Sequence, residues 1–111
     1  PEDAAILDGV SEFIQRHGDA RFGPLYPDSH DGRRTTDRAG FWHDTPAGRV
    51  FYFNSAGLAE AAKGYDMRTI ASALEAAGWL HEKEDGKRSV NKKVLGSVHR
   101  LYAVLPKEVA Q

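Results

Sequence analysis

Ile6, Val10, Phe13, Ile14 and His17 recur at intervals of three and four residues, which predicts a helix with one apolar face. Glu2 and Asp3 sit at its start, where the helix dipole favours acids. Gly18 follows its last turn, a position helices often fill with a left-handed residue. From 18 to 37 the period is lost among glycines, prolines and aspartates. Phe22, Leu25 and Tyr26 are apolar enough to anchor this stretch, and 28–37 reads as a flexible surface loop.

The pattern then changes to alternation. Ala39 to Asp44 and Arg49 to Asn54 are rich in aromatic and β-branched residues, and Thr45-Pro46-Ala47-Gly48 forms a four-residue turn between them. Alternation puts Phe41 and His43 on one face and Trp42 on the other. In the second strand Val50 and Tyr52 oppose Phe51 and Phe53. Both faces carry aromatics, so the hairpin is expected to be covered, with most of its rings in the core rather than stacked on bases.

Asn54 or Ser55 can cap a short helix, Ala56 to Lys63, that ends at Gly64. Asp66 caps the next, with Met67, Ile70, Ala71, Leu74 and Ala77 as its apolar stripe and Gly78 as its stop. Two helices joined by Gly64-Tyr65 make a helix-turn-helix candidate. Trp79 is placed to plug the junction between this second helix and the strands of the wing. The last third reads as strands: Trp79 to Glu82, a hairpin turn at Asp85-Gly86, then Ser89 to Leu95, a break at Gly96, and Val98 to Leu105, with Tyr102 half-buried. The order helix, loop, hairpin, two helices and a basic β-hairpin or three-strand wing predicts one α+β domain with a winged-helix-like arrangement.

Charge sharpens this picture. The net charge of the 111 residues is −1, but residues 1–65 are acid-rich and residues 66–111 base-rich. The segment 87–107 holds Lys87, Arg88, Lys92, Lys93, Arg100 and Lys107 with no acid, and His99 lies among them. Such a cluster attracts phosphate; it can equally be a solvated hairpin kept soluble by lysines. Arg68 and Thr69 occupy the first turn of the second capped helix, where recognition helices meet a groove and free amides favour phosphate. The exposed face of that helix is poor in Asn, Gln and Arg, so backbone contact is expected rather than base-specific readout.

Other chemistry is not signalled. With no cysteine there is no thiolate site, disulfide or cysteine nucleophile. His17, His30, His43, His81 and His99 never take the i, i+4 spacing of a helical metal pair. His43 and Asp44 are strand neighbours and point to opposite faces. No glycine-rich phosphate loop or serine elbow is present. The expectation is a non-catalytic piece with no metal and no cofactor. No signal peptide or membrane-length apolar run is seen, and a cytoplasmic setting is expected. The chain begins at Pro1 rather than methionine, which points to a processed product or a piece of a longer protein.

Four blocks carry a family resemblance. They are Val10 to Gly18 with Ala20-Arg21-Phe22; Arg38-Ala39-Gly40-Phe41; Lys63-Gly64-Tyr65-Asp66 leading to Leu74-Glu75-Ala76-Ala77-Gly78-Trp79-Leu80; and Lys92 to Gly96 followed by Arg100 to Pro106. In order and spacing they resemble the C-terminal region of the domain-of-unknown-function nine-two-seven family, whose members are helicase- or primase-like proteins of bacterial plasmids, prophages and integrative elements. The resemblance spans about 10–106. It implies a parent ATPase with this piece as a winged-helix-like accessory domain. Family members often carry a cysteine before the glycine of the third block, where this chain has Ala62 and Lys63. A weaker similarity is to the C-terminal domain of conjugative relaxase-helicases. Both resemblances imply mobile-element DNA processing, and with the charge cluster they point to DNA, single- or double-stranded, as partner, held through Arg68, Thr69, Lys87, Arg88, Lys92, Lys93 and Arg100. The alternative is a module that docks on the parent ATPase or on a replication or transfer protein. A contiguous apolar patch on the 39–54 hairpin would favour docking, and a basic stripe from wing to helix would favour DNA.

Overall fold

Residues 2–28 and 37–107 are described by the computed structural model, and within them the chain forms three helices and a mixed six-stranded sheet. In chain order these are α1 (Glu2–His17), β1 (Phe22–Pro24), β2 (Gly40–Thr45), β3 (Gly48–Phe53), α2 (Ser55–Ala61), α3 (Met67–Ala76), β4 (Leu80–Glu82), β5 (Val90–Val94) and β6 (Ser97–Val104). The α+β class is as the sequence predicts. All of the predicted 28–37 loop except its two end residues lies outside the described residues.

The helix ends follow from local chemistry. The Asn54 side chain accepts the Gly57 amide at 2.7 Å, and Asp66 accepts the Thr69 amide at 2.8 Å, so α2 and α3 both start on capped amides. Helix α3 stops where Gly78 turns left-handed (φ +74°). There the Gly78 amide donates to the Glu75 carbonyl at 3.0 Å and the Trp79 amide to Leu74 at 2.9 Å, closing the last turn. Gly18 differs from expectation. It ends α1 by donating to the Ile14 carbonyl at 2.8 Å, without a left-handed backbone.

The sheet runs β1-β2-β3-β6-β4, with β5 paired to β6 alone. The β1–β2 pair is parallel and all others are antiparallel. Strand alternation divides the core in two, with the faces of the 40–53 hairpin as predicted. Phe51 and Phe53 join Phe22, Val104 and Trp79 beneath the helices, against Ile6, Val10, Phe13, Leu58, Ile70 and Leu74. On the other face Val50 and Tyr52 join Leu25, Phe41, Val90, Val94, Leu101, Ala103 and Leu105. Each fully buried Leu, Ile or Phe contributes about 2 kcal/mol of transfer free energy. Burying both faces therefore recruits nearly every large apolar residue of the sheet.

The first hairpin closes on the four-residue turn read from the sequence, Thr45 pairing with Gly48 around Pro46-Ala47 and its hydroxyl donating to the Gly48 carbonyl at 2.7 Å. The second hairpin differs. Asp85-Gly86 does turn the chain, but β4 and β5 do not pair with each other; each pairs with β6. The second hairpin closes instead at Leu95-Gly96, both with positive φ (+48° and +85°). Tyr26, expected to anchor its loop, is 62% exposed and meets the His43 ring edge-on at 4.9 Å. Among the described residues no helix is long and apolar enough to cross a membrane.

Two substitutions test this packing. A Cβ on Gly40 would lie 1.8 Å from the Tyr52 carbonyl oxygen, backbone that cannot move without breaking the β2–β3 ladder. Gly40→Ala is expected to cost about 3 kcal/mol or more in urea unfolding. Leu95→Asn puts a residue tolerant of left-handed backbone into the same turn before Gly96. It is expected to raise stability by about 1 kcal/mol, read as a higher midpoint with an unchanged slope.

Candidate nucleic-acid interface

Helix α3 and the 83–89 segment enclose an open groove of about 750 Å³. Met67, Ala71 and Tyr102 contribute apolar surface, and Arg68, Lys83, Lys87 and Arg88 contribute positive charge. Three predicted site residues, Arg68, Lys87 and Arg88, thus meet on one groove although about twenty residues of sequence intervene. Lys93 and Arg100 stand further along the β5–β6 ladder, in register with Val98 and Asn91 respectively.

Carboxylates decide which of these cations are uncommitted. Glu75 on α3 accepts Lys83 Nζ at 3.0 Å and Arg88 Nε at 3.1 Å. Those two bonds, the lysine's first, hold its carboxyl below the ordinary range. Glu84 accepts the Asn91 backbone amide at 2.9 Å and the Arg100 guanidinium, and it too is held low, the amide bond leading. Arg68, Lys87 and Lys93 form no salt bridge among the described residues. Of the seven predicted residues, these three are the cations outside any salt bridge, although Arg68 still helps hold Asp66 low and Lys87 helps hold Glu84 low.

Lys92 lies on the other face of the β5–β6 ladder. Its Nζ donates to Glu82 Oε2 at 2.8 Å and sits 5.7 Å from the Tyr52 ring centroid, and the Tyr52 hydroxyl donates to Glu82 Oε1 at 2.8 Å. A bulge assembles this triad. Leu80 pairs with Val104 and Glu82 with Ala103, so His81 is the extra residue and Glu82 turns to the face it shares with Tyr52. Bulges commonly re-aim a side chain in this way. Burial pushes the Glu82 carboxyl up, but the hydrogen bonds from Lys92 and Tyr52 outweigh it and the net shift is downward. Burial, with the Glu82 hydrogen bond, drives the Tyr52 phenol well above its ordinary 10.0. Strict alternation from Leu80 hid this triad; no sequence signal marks the bulge.

Thr69 is half-buried and its amide is already taken by Asp66, whose carboxyl that bond holds low. The α3 N-terminus therefore offers a phosphate less than the sequence reading supposed. The hairpin aromatics are spent on packing: Phe41, Phe51, Tyr52 and Phe53 are buried, and half-buried Trp42 lies under Arg49 at 4.0 Å. Trp79 and Tyr102 take the buried and half-buried places foreseen for them. No group of three or more His, Asp or Glu able to hold a metal occurs among the described residues. Comparison of the chain with family models, with curated proteins and with solved structures finds no match.

The depressed carboxyl of Glu82 fixes a sign. Its charged form is favoured by folding, so the stability it adds is present above its ordinary value of 4.5 and lost as pH falls through its lower folded value. Glu82→Gln is expected to lower stability by about 1–3 kcal/mol at neutral pH, because Lys92 loses its counter-charge in a half-buried site. The acid limb of a stability–pH curve should be shallower in the variant. Glu75 and Glu84 keep part of the slope.

Proposed function

We propose that this chain is a non-catalytic, winged-helix-like accessory domain of a mobile-element helicase- or primase-like protein, and that it holds nucleic acid by phosphate contacts. The groove between α3 and the 83–89 segment carries this reading, because it gathers Arg68, Lys87 and Arg88 on one surface. Glu75 and Glu84 also line it, but each is already engaged by cations. The uncommitted charge along the groove and the hairpin beyond it is Arg68, Lys87 and Lys93, opposed within the groove by Asp85. In the winged-helix reading α3 takes the recognition-helix place and the β5–β6 hairpin the wing. The resemblance of four sequence blocks to the nine-two-seven family supports the parent assignment. Docking through the 39–54 hairpin is less well supported, because most of its aromatic area is consumed by the two cores.

Fluorescence anisotropy of labelled single- and double-stranded DNA, repeated at several salt concentrations, tests this. Three uncommitted cations predict a log–log salt slope of roughly −2 to −3. Arg68→Ala and Lys87→Ala are each expected to reduce that slope by about one. Glu75→Gln frees Lys83 and Arg88 and is expected to tighten binding. Absence of binding at low salt, or binding that ignores salt, overturns the proposal.

A further inference from the structure

The turn of the β5–β6 hairpin combines two unfavourable features. Leu95 adopts a left-handed backbone (φ +48°), which a leucine enters only against steric repulsion from its Cβ. Its side chain is also 83% exposed, so no packing compensates the strain. Val98, two residues past Gly96, is 67% exposed. An asparagine in place of Leu95 would satisfy the turn better and be soluble. Folding thus gives no reason for the leucine, and strain held in place by its surroundings points to use.

The stem beneath this tip is rigid. Val94 and Ser97 form the closing pair, and Val94 and Val90 are buried in the second core. Lys93 stands directly across from Val98 in the ladder and forms no salt bridge among the described residues, and no acid occurs in sequence from Lys87 to Lys107. The tip is therefore apolar at its point with Lys93 as the cation beside it, while Lys92 and Arg100 lower on the hairpin are paired with Glu82 and Glu84. From Ser89 in the groove to Leu95 the strand spans roughly 20 Å. That is less than one duplex turn of about 34 Å, so phosphates at the groove and a base step at the tip fall within the same turn.

We infer that the Leu95–Val98 tip is a wedge that enters the base stack of a nucleic-acid duplex, Leu95 parting adjacent base pairs while Lys93 holds the flanking phosphate. Apolar side chains inserted between base steps unstack and kink duplexes in this way, with nearby cations on the backbone. The inference rests on the nucleic-acid reading above and adds to it a substrate, duplex rather than single strand, and a distortion.

The test uses a short duplex carrying a fluorescent aminopurine, with binding and fluorescence followed together for this chain and two variants. Wild type and Leu95→Met are expected to raise the aminopurine signal on binding. Leu95→Asn, which relieves the turn and keeps the fold, is expected to bind about tenfold more weakly and leave the signal flat. A wild type that binds without unstacking, or a Leu95→Asn that unstacks equally, overturns the wedge and leaves the nucleic-acid reading standing. No binding of any DNA at low salt removes both. Self-association that Leu95→Asn abolishes, with no unstacking by wild type, assigns the tip to contact between copies of the chain and overturns the wedge.

Discussion

Strand β6 is the constraint on which the rest of the molecule turns, because its eight residues serve three ladders, with β3, β4 and β5. Its last three residues pair with β3, and two of them also pair with β4. Its first five pair with β5. Val104 closes the core under the helices, while Leu101 and Ala103 close the core on the opposite face. One strand therefore sets how α3, the 83–89 segment and the β5–β6 hairpin stand relative to each other. The groove and the hairpin tip are consequences of where β6 leaves one ladder and enters the other.

The electrostatics result from that placement. A segment free of acids in sequence is brought against Glu75, Glu82 and Glu84 from α3, β4 and the chain just after β4. Each carboxylate takes cations that linear reading counted as available to a partner. Exposed pairs of this kind add little stability. Their larger effect is on what the surface presents, since of the predicted site cations they leave Arg68, Lys87 and Lys93 outside any salt bridge. Lys92, more deeply set between Tyr52 and Glu82, acts as a tie between β5 and the central sheet.

Features governed by nearest neighbours were legible in the sequence. Asn54 and Asp66 cap their helices, Gly78 stops α3, and the faces of the 40–53 hairpin alternate as the pattern requires. What escaped depends on partners distant in sequence. Phe22–Pro24 is a strand only because β2 offers it a parallel edge. Asp85-Gly86 has strong local turn chemistry, yet its flanking segments find a better partner in β6 than in each other. The break at Gly96 was legible, but not that it closes the β5–β6 hairpin, because Leu95 contradicts the composition such turns favour. Of the candidate site, Arg68, Lys87 and Arg88 share a groove that no periodicity foretold. Glu75, which controls two of its cations, was visible only as a polar position on a helix.

The shared strand also imposes an order on synthesis. Tyr102 pairs with Phe53, some fifty positions earlier in the chain, so the central ladder is dominated by contacts of high sequence separation. A nascent chain can form its capped helices and the 40–53 hairpin as they emerge. Neither hydrophobic cluster closes until β6, the last of the described elements to be made, has left the ribosome. Up to that moment Phe41, Phe51, Tyr52 and Phe53 present aromatic surface on both faces of an open edge, the condition in which strands pair with the wrong chain. The economy of building two cores around one late strand is thus offset by an interval of exposure during translation.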